Sequence, residues 1–515
     1  MKKFNLLFLF LLGLTTYAQA PIIEWQKCYG GTNDDQAQSI QRTNDGGYIV
    51  ANLATSNDGD VTNFHTGTGG DIWVVKTDGN GNIEWQKALG GSNSEGTFNV
   101  KQTTDNGYLV CGYSGSYDGD VTGNHGGVYD LWIVKLNGAG NIVWQKTYGG
   151  TNTDGFWSSF EQTADDGFIV ICNSSSNDGD VTENHGNSDI WVIKLNSIGD
   201  IQWQKTYGGT GYDDPRSIQL TPDGGYILCG YTESNNGDFT SNHGFSDAYV
   251  IKINSTGDIL WQKTYGSQGY DRANTIIKAS DGGFIFVGDT TVNGGDVSGT
   301  HGGYDIWVVK INNIGTIQWQ KCLGGTGNEG VGRNCIVQLA NDDYAIVGIT
   351  TSTNGDVTAN HGGQDSWLLR LSNTGSILWQ KTYGGSSNDC AYSLCATPDD
   401  GYIMAGLTAS FDGDVSGNHG YNDYWVVKVG PDSLATSDYD LFDPVLFPNP
   451  VSNQLNIISE TSNIKTYIIY DTLGKTIIKK NYKNTIDVSQ LKSGIYYLEL
   501  QDDNKKSIYK KFIKQ

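Results

Sequence analysis

The triplet Trp-Gln-Lys recurs at Trp25, Trp85, Trp144, Trp203, Trp261, Trp319 and Trp379, with 58 to 60 residues from one copy to the next. A period of this length limits the fold more severely than any local propensity, because every copy must build the same small unit and bury its apolar face on its neighbours. In the second copy, SEGTFNVKQTT leads to a turn at Asp105, Asn106 and Gly107, and YLVCGYS follows. A long loop then precedes DLWIVKLN, and a second turn, Gly138 to Asn141, leads into IVWQKTYGG. Asn and Gly accept the positive φ of tight hairpins, so the unit reads as four antiparallel strands. Strands of the DIWVVK kind are apolar on both faces, Ile72 and Val74 on one and Trp73 and Val75 on the other, as when sheets stack face to face.

Seven such units predict an all-β chain with a seven-bladed β-propeller over residues 21–429; a parallel β-helix needs a much shorter period. The ends of the array suggest how it closes. The turn between WVVK and the next WQK occurs at Gly81, Gly140, Gly199, Gly257, Gly315 and Gly375 and has no seventh copy. IIEWQK at 22–27 thus opens the array as an outer strand without a partner, and DYWVVKV at 423–429 ends it as a partner without an outer strand. Pairing the two removes both exposed edges and closes a ring. The repeats resemble the long-loop propeller repeats of large exported bacterial proteins and, more distantly, WD-type repeats.

The long loop of each unit carries the most chemistry. DGDVTGNHGG at 118 returns at 58, 178, 236, 294, 354 and 412 and accounts for every histidine in the chain. An active centre needs its groups once, around one pocket, so seven copies argue first for a structural part. In that reading Asp60, Asp120, Asp180, Asp238, Asp296, Asp356 and Asp414, with His65, His125, His185, His243, His301, His361 and His419, clasp the loops; in the second unit Asp120, His125 and Asp130 knit the loop to its own blade. Calcium is the second reading. No cofactor is otherwise expected, but the Asp-x-Asp pairs Asp58 and Asp60, Asp118 and Asp120, Asp178 and Asp180, and Asp412 and Asp414 offer hard oxygens. The other units have Asn236, Gly294 or Asn354 at the first position, and no EF-hand or RTX nonapeptide is matched. Catalysis by one specialised blade is the third, without a G-x-S-x-G or H-E-x-x-H element to support it. Phe156 and Trp157, in TDGFWSSF, break the repeat and are either core or part of a binding surface.

Lys2 and Lys3, an apolar run, and Ala18 and Ala20 form the pattern of a secretory signal peptide, expected over residues 1–20. Pro21 disfavours cleavage after Ala20 and leaves the cut open by a few residues. No later segment is long and apolar enough to cross a bilayer. Residues from Asp438 onward hold 11 basic and 9 acidic side chains; without them and the two signal-peptide lysines the chain has 20 basic against 47 acidic residues. Such a surface repels nucleic acid and anionic lipid. Eight cysteines in an exported chain are expected to be buried or to form one or two bridges, and no CxxC pair is present.

The repeat stops after Val429, residues 430–443 read as a linker, and residues 444–515 read as short alternating strands of a small β-sandwich broken by PNP, LGK and KSG turns. This tail resembles the type A C-terminal sorting domain of the type IX (Por) secretion system. Pro448, Asn449 and Pro450 match its opening, with Phe447 in place of Tyr. Asp471 to Lys475, including Gly474, match its turn; Leu491 to Tyr496, including Gly494 and Tyr496, match its L-x-x-G-x-Y element; Lys510 and Lys511 match its basic final strand. The resemblance implies handling by the type IX machinery and release from, or attachment to, the surface of a Gram-negative cell. The expected role of the body is binding or scaffolding, adhesin-like, of an extracellular glycan or protein; a glycosidase or lyase on the same scaffold is the alternative.

Overall fold

The computed structural model describes residues 18–67, 69–434, 445–458, 464–472, 474–502 and 507–515, so most of the expected signal peptide and linker lie outside the described residues. The chain divides into two compact units, one spanning residues 17–434 and the other comprising the residues from 435 onward. The described residues form strands and no helix.

Each repeat forms a four-stranded antiparallel meander. In the second sheet the strands are Glu95–Gln102, Tyr108–Ser114, Asp130–Leu136 and Ile142–Tyr148. Asn106 has φ of 61° and Gly140 of 75°, as the two hairpin turns require. The third strand is buried throughout, and its indole explains the Gln of the repeated triplet. Trp132 Nε1 donates to Gln145 Oε1 at 2.8 Å, and Trp73, Trp191, Trp307, Trp367 and Trp425 donate to Gln86, Gln204, Gln320, Gln380 and Gln26 in the same way. A buried donor must find a partner, and the neighbouring strand supplies it.

Seven sheets of this kind follow one another, consistent with a propeller. The first strand of each sheet neighbours the first strand of the next, and Asp389–Ala396 of the seventh neighbours Asp35–Arg42 of the first. The seventh sheet is completed from the other end of the chain: Ile23–Tyr29 pairs with Asp423–Val429, Ile23 opposite Val429 and Tyr29 opposite Tyr424. A second substitution accompanies the pairing. In four other junctions a tyrosine reaches the next sheet's turn; Tyr29, Tyr148, Tyr207 and Tyr265 hydroxyls donate to the carbonyls of Gly81, Gly199, Gly257 and Gly315. Tyr383 finds the carbonyl of Pro21 instead, at 2.7 Å. Pro21 thus does for the seventh sheet what the missing turn glycine would have done.

All eight cysteines are unbridged, and seven are buried. Of the two alternatives the sequence left open, burial and not bridging is what the structure has. Cys111, Cys172 and Cys229 occupy strand positions inside different sheets, where the packing of apolar neighbours holds each thiol.

The C-terminal unit has a three-stranded sheet (Val445–Phe447, Gln454–Ile458, Thr485–Asp487) and a four-stranded sheet (Thr476–Asn481, Ile464–Tyr470, Gly494–Asp502, Ser507–Lys514). Val451, Leu455, Ile469, Leu498 and Phe512 form their shared core.

Deleting Ile22 to Lys27 removes the strand that pairs with Asp423–Val429 and strands Trp425 Nε1 without Gln26. The truncated chain should melt at a much lower temperature and associate through the bare edge, measured by calorimetry and light scattering.

Candidate functional site

The histidine loops connect sheets rather than closing on themselves. In every repeat the N–H of the loop's second Asp donates to the carbonyl of the first glycine of the preceding YGG-type segment; Asp120 to Gly90 is 2.8 Å. The Asp carboxylate accepts from that glycine's N–H, from 3.0 Å at Asp238 and Gly208 to 3.4 Å at Asp120 and Gly90. The glycine lies in the link from the previous sheet's last strand. The histidine turns elsewhere: His125 N–H and Nδ1 lie 2.5 and 3.0 Å from Asp130 Oδ2, and the other six histidines face the corresponding Asp71, Asp189, Asp247, Asp305, Asp365 and Asp423. The structure thus splits the expected trio. His125 belongs with Asp130, whereas Asp120 is approached by the preceding repeat's His65, whose Nε2 lies 3.7 Å away. His125 Nε2 in turn lies 3.6 Å from Asp180.

The first loop position, where Asp and Asn alternate, caps a backbone N–H. Asp58 accepts from Thr32 N–H and hydroxyl at 2.8 and 2.9 Å, Asp118 and Asp412 accept from Ser92 and Ser386 N–H, and Asn236 and Asn354 accept equally from Thr210 and Thr326. An amide oxygen serves this purpose as well as a carboxylate. Among the described residues no three His, Cys, Asp or Glu side chains gather as a metal site.

Behind each loop two carboxylates meet. Asp130 of the second sheet and Asp154 of the third flank Gly149, where an added Cβ would come within 2.6 Å of one and 2.8 Å of the other, so only glycine fits. Asp130 is fully buried, and its Oδ1 meets no donor among the described residues. Burial, with repulsion from Asp154 opposing the hydrogen bonds from His125, raises its pKa to about 6. The equivalent Asp71, Asp189, Asp247, Asp305, Asp365 and Asp423 are raised too, chiefly by burial. The opposite shift occurs at the hairpins. There Asp45, Asp105 and Asp165 are partly buried, which works to raise them, yet bonds from Thr, Gly N–H and the buried Lys76, Lys135 and Lys194 hold them at about 2; Asp399, bonded to Lys428, is held there likewise.

One position escapes this sevenfold regularity. Thirteen residues after the WQK tryptophan, fourteen in the sixth repeat, stand Gln38, Phe98, Trp157, Arg216, Asn274, Arg333 and Tyr392. In five sheets the residue sits in a β-bulge of the first strand, as between Ala37 and Ser39 or Pro215 and Ser217. A bulge turns its extra side chain out of the ladder. The third and sixth sheets depart further. The third sheet's first strand is reduced to Ser159–Gln162, with Trp157 at φ of 60°, and the sixth sheet's is split into Glu329–Gly330 and Ile336–Gln338 around Arg333. All seven residues line one cavity of about 300 Å³, together with Arg272 and Asp289.

Aromatic rings and guanidinium groups fill its wall. Trp157 packs on Phe98 and Phe156, and Phe156 on Tyr113 and Tyr129, with ring centroids 4.7 to 6.1 Å apart. Tyr231 donates to Asp214 Oδ2 at 2.5 Å. Sequence reasoning singled out Phe156 and Trp157 but missed the other six positions. Variation alone did not single the site out, because the two residues before it also change from repeat to repeat.

The tail residues cluster at one end of their sandwich. Asn449 Oδ1 accepts from Ile513 N–H at 2.9 Å and its amide donates to Lys511 O, so the Pro448-Asn449-Pro450 segment is tied to the strand carrying Lys510 and Lys511. Gly474, at φ of 78°, closes the turn from Asp471 to Lys475, Gly494 begins a strand, and Tyr496 stacks on Phe512.

The described chain is thus an all-β, propeller-like repeat body followed by a two-sheet C-terminal unit. Residues 445–515 match the family described as "Secretion system C-terminal sorting domain". The chain is therefore exported through the type IX system to the cell surface or the medium. It is 40% identical over 75 residues to the "Endo-acting ulvan lyase" of Formosa agariphila, a stretch that is 14% of each protein. Among solved structures it is similar to the extracellular domain assigned to a hybrid two-component system of B. thetaiotaomicron, with 12% identity, TM-score 0.40, and coverage of 96% of this chain and 59% of the other. It is also similar to Sqt1 of Chaetomium thermophilum, with 10% identity, TM-score 0.40, and coverage of 79% and 100%.

Asp120→Ala removes the acceptor for Gly90 N–H and should cost roughly 1 to 3 kcal/mol, the usual cost of an unsatisfied buried group. The loss should be the same in calcium and in chelator when both proteins are melted in each. A second expectation concerns pH. Unfolded carboxylates titrate near 4. From there up to about 6 the folded chain binds more protons than the unfolded one at Asp130 and its equivalents, so stability falls as pH rises. From about 2 to 4 the hairpin carboxylates reverse the sign and stability rises. Melting temperature should therefore peak near pH 4, and Asp130→Asn should flatten the alkaline side of that peak.

Proposed function

We propose that this chain is an exported binding protein whose body is a closed seven-bladed β-propeller, with its ligand held in the cavity at the ring's centre. The observation that carries the reading is the contrast between loop and centre. Asp60, His65 and their counterparts make the same contacts in each repeat, as clasps between neighbouring blades would, whereas the cavity-lining bulge presents Gln38, Phe98, Trp157, Arg216, Asn274, Arg333 and Tyr392. A scaffold needs sameness, and recognition needs difference. Half-buried aromatic faces beside polar groups suit a ring-shaped ligand such as a sugar.

A carbohydrate-active enzyme is the alternative, and the relative named as an ulvan lyase keeps it in view. Proton abstraction would call on Tyr231 or a carboxylate at the cavity. Burial and the adjacent Asp214 raise the Tyr231 hydroxyl above its ordinary range, which makes it a poor base at neutral pH. Asp289 in the cavity wall is then the group an elimination would call on.

The test is a broad glycan array probed with the full mature protein and with Trp157→Ala, followed by hydrolysis and elimination assays on every ligand found. Binding should weaken roughly tenfold or more in the variant, in line with the loss of a buried aromatic contact, and the bound glycans should remain intact. Turnover of a bound glycan would establish the enzyme; ligands indifferent to Trp157→Ala would place recognition elsewhere.

A further inference from the structure

The whole chain holds five arginines, and three of them, Arg216, Arg272 and Arg333, line the same cavity. This gathering is set in a body whose acidic residues outnumber its basic ones by more than two to one. Arg333 is 6% exposed. One of its terminal nitrogens donates to the carbonyl of Ser158 at 2.9 Å, and the other, Nη2, meets no acceptor among the described residues. The Nε atoms of Arg216 and Arg272 are likewise without acceptors there. Among the described residues no carboxylate forms an ion pair with Arg333 or Arg216, and Arg272 reaches Asp289 only at 3.8 Å. Burial, together with Arg216, pulls the Arg333 pKa well down from the ordinary guanidinium value, the direction expected of a cation short of a counter-charge.

The aromatic residues fix these groups in place. The Arg216 guanidinium lies 3.6 Å from the Trp157 ring centroid, Arg333 lies 4.6 Å from Phe98 and 5.0 Å from Trp157, and Arg216 and Arg272 each lie 5.3 Å from Tyr231. Stacking occupies the flat faces of a guanidinium and leaves its edge donors for an anion, the geometry that matches carboxylate and sulfate oxygens. A cavity of about 300 Å³ admits one small ring and little more.

We infer that the central cavity binds an oxyanion, a carboxylate or a sulfate ester, carried on a single sugar-sized ring, with Arg333 as the principal donor and Arg216 and Arg272 beside it. The inference rests on the centre being the ligand site. Bound there, the oxyanion takes the free N–H groups of Arg333 while the ring lies against Trp157 and Phe98. The bland alternative is that the arginines only brace the aromatic cluster, in which case no anion is preferred.

Calorimetric titration of the mature protein with glucuronate, glucose 6-sulfate and glucose, at constant ionic strength, decides between them. Both acids should bind and glucose should not, and the stronger of the two identifies the carrier chemistry. Arg333→Met should weaken binding of the acids roughly tenfold or more, and Arg333→Lys, which keeps the charge without the fork, should fall between. Should Arg333→Met fail to fold, the parent's melting temperature reads the same question, rising with either acid and not with glucose. Equal response to acids and glucose, or undiminished binding by folded Arg333→Met, overturns the inference. An array ligand lost in Trp157→Ala but untouched by Arg333→Met and by competing sugar acids overturns the anion and leaves the central site standing. One indifferent to both variants removes the site as well.

Discussion

The strand pairing of Ile23–Tyr29 with Asp423–Val429 joins residues some four hundred positions apart, and the rest of the body depends on it. Each sheet packs against two neighbours, so a stack of sheets with free ends would leave two apolar faces in water. By lending the last sheet its outer strand, the start of the chain makes the terminal sheets neighbours of each other. The join is made with parts used elsewhere in the body: an indole donating to a glutamine, a Lys428 ammonium bonded to Glu24 and Asp399, and a tyrosine hydroxyl on a carbonyl. Only with that join do first strands from all seven sheets face one cavity.

The body carries two kinds of buried charge, and they obey different rules. The carboxylates around Gly149 and its equivalents are present at every junction, held by histidine and backbone N–H groups, and any electrostatic cost they impose is spread evenly. The arginines at the centre occur only in the fourth, fifth and sixth repeats, and their nearest company is aromatic. Regular charge belongs to the architecture. The irregular charge of Arg216 and Arg333 stands where the first strands leave their ladders, and Arg272 stands in the ladder beside such a place.

Much of this could be read from the residues alone, for a physical reason. The repeat length, the hairpin glycines and the doubly apolar third strand are local features that return seven times, so chance is averaged away. The offset between IIEWQK and DYWVVKV followed from counting turns. The parts that could not be read are those set by packing between repeats. Nothing in DGDVTGNHGG says that Asp120 will reach back to Gly90 while His125 turns to Asp130. Nor does Arg333 announce itself within VGRNC, because where a strand breaks off its ladder is a property of the strand pair and not of one strand. The sorting tail was recognisable because its turns, Asp471 to Lys475 and Lys492 to Tyr496, are short and carry their own geometry.

In the five sheets that have one, the bulged residue takes no part in the ladder, so exchanging its side chain leaves the backbone pairing intact. A repeat body built this way separates the residues that set its form from those that line its cavity. Copying one repeat supplies another compliant blade, while a handful of point changes at Gln38, Asn274 or Tyr392 could redraw the lining of the cavity at little cost to stability. Frame and lining can therefore change independently of one another.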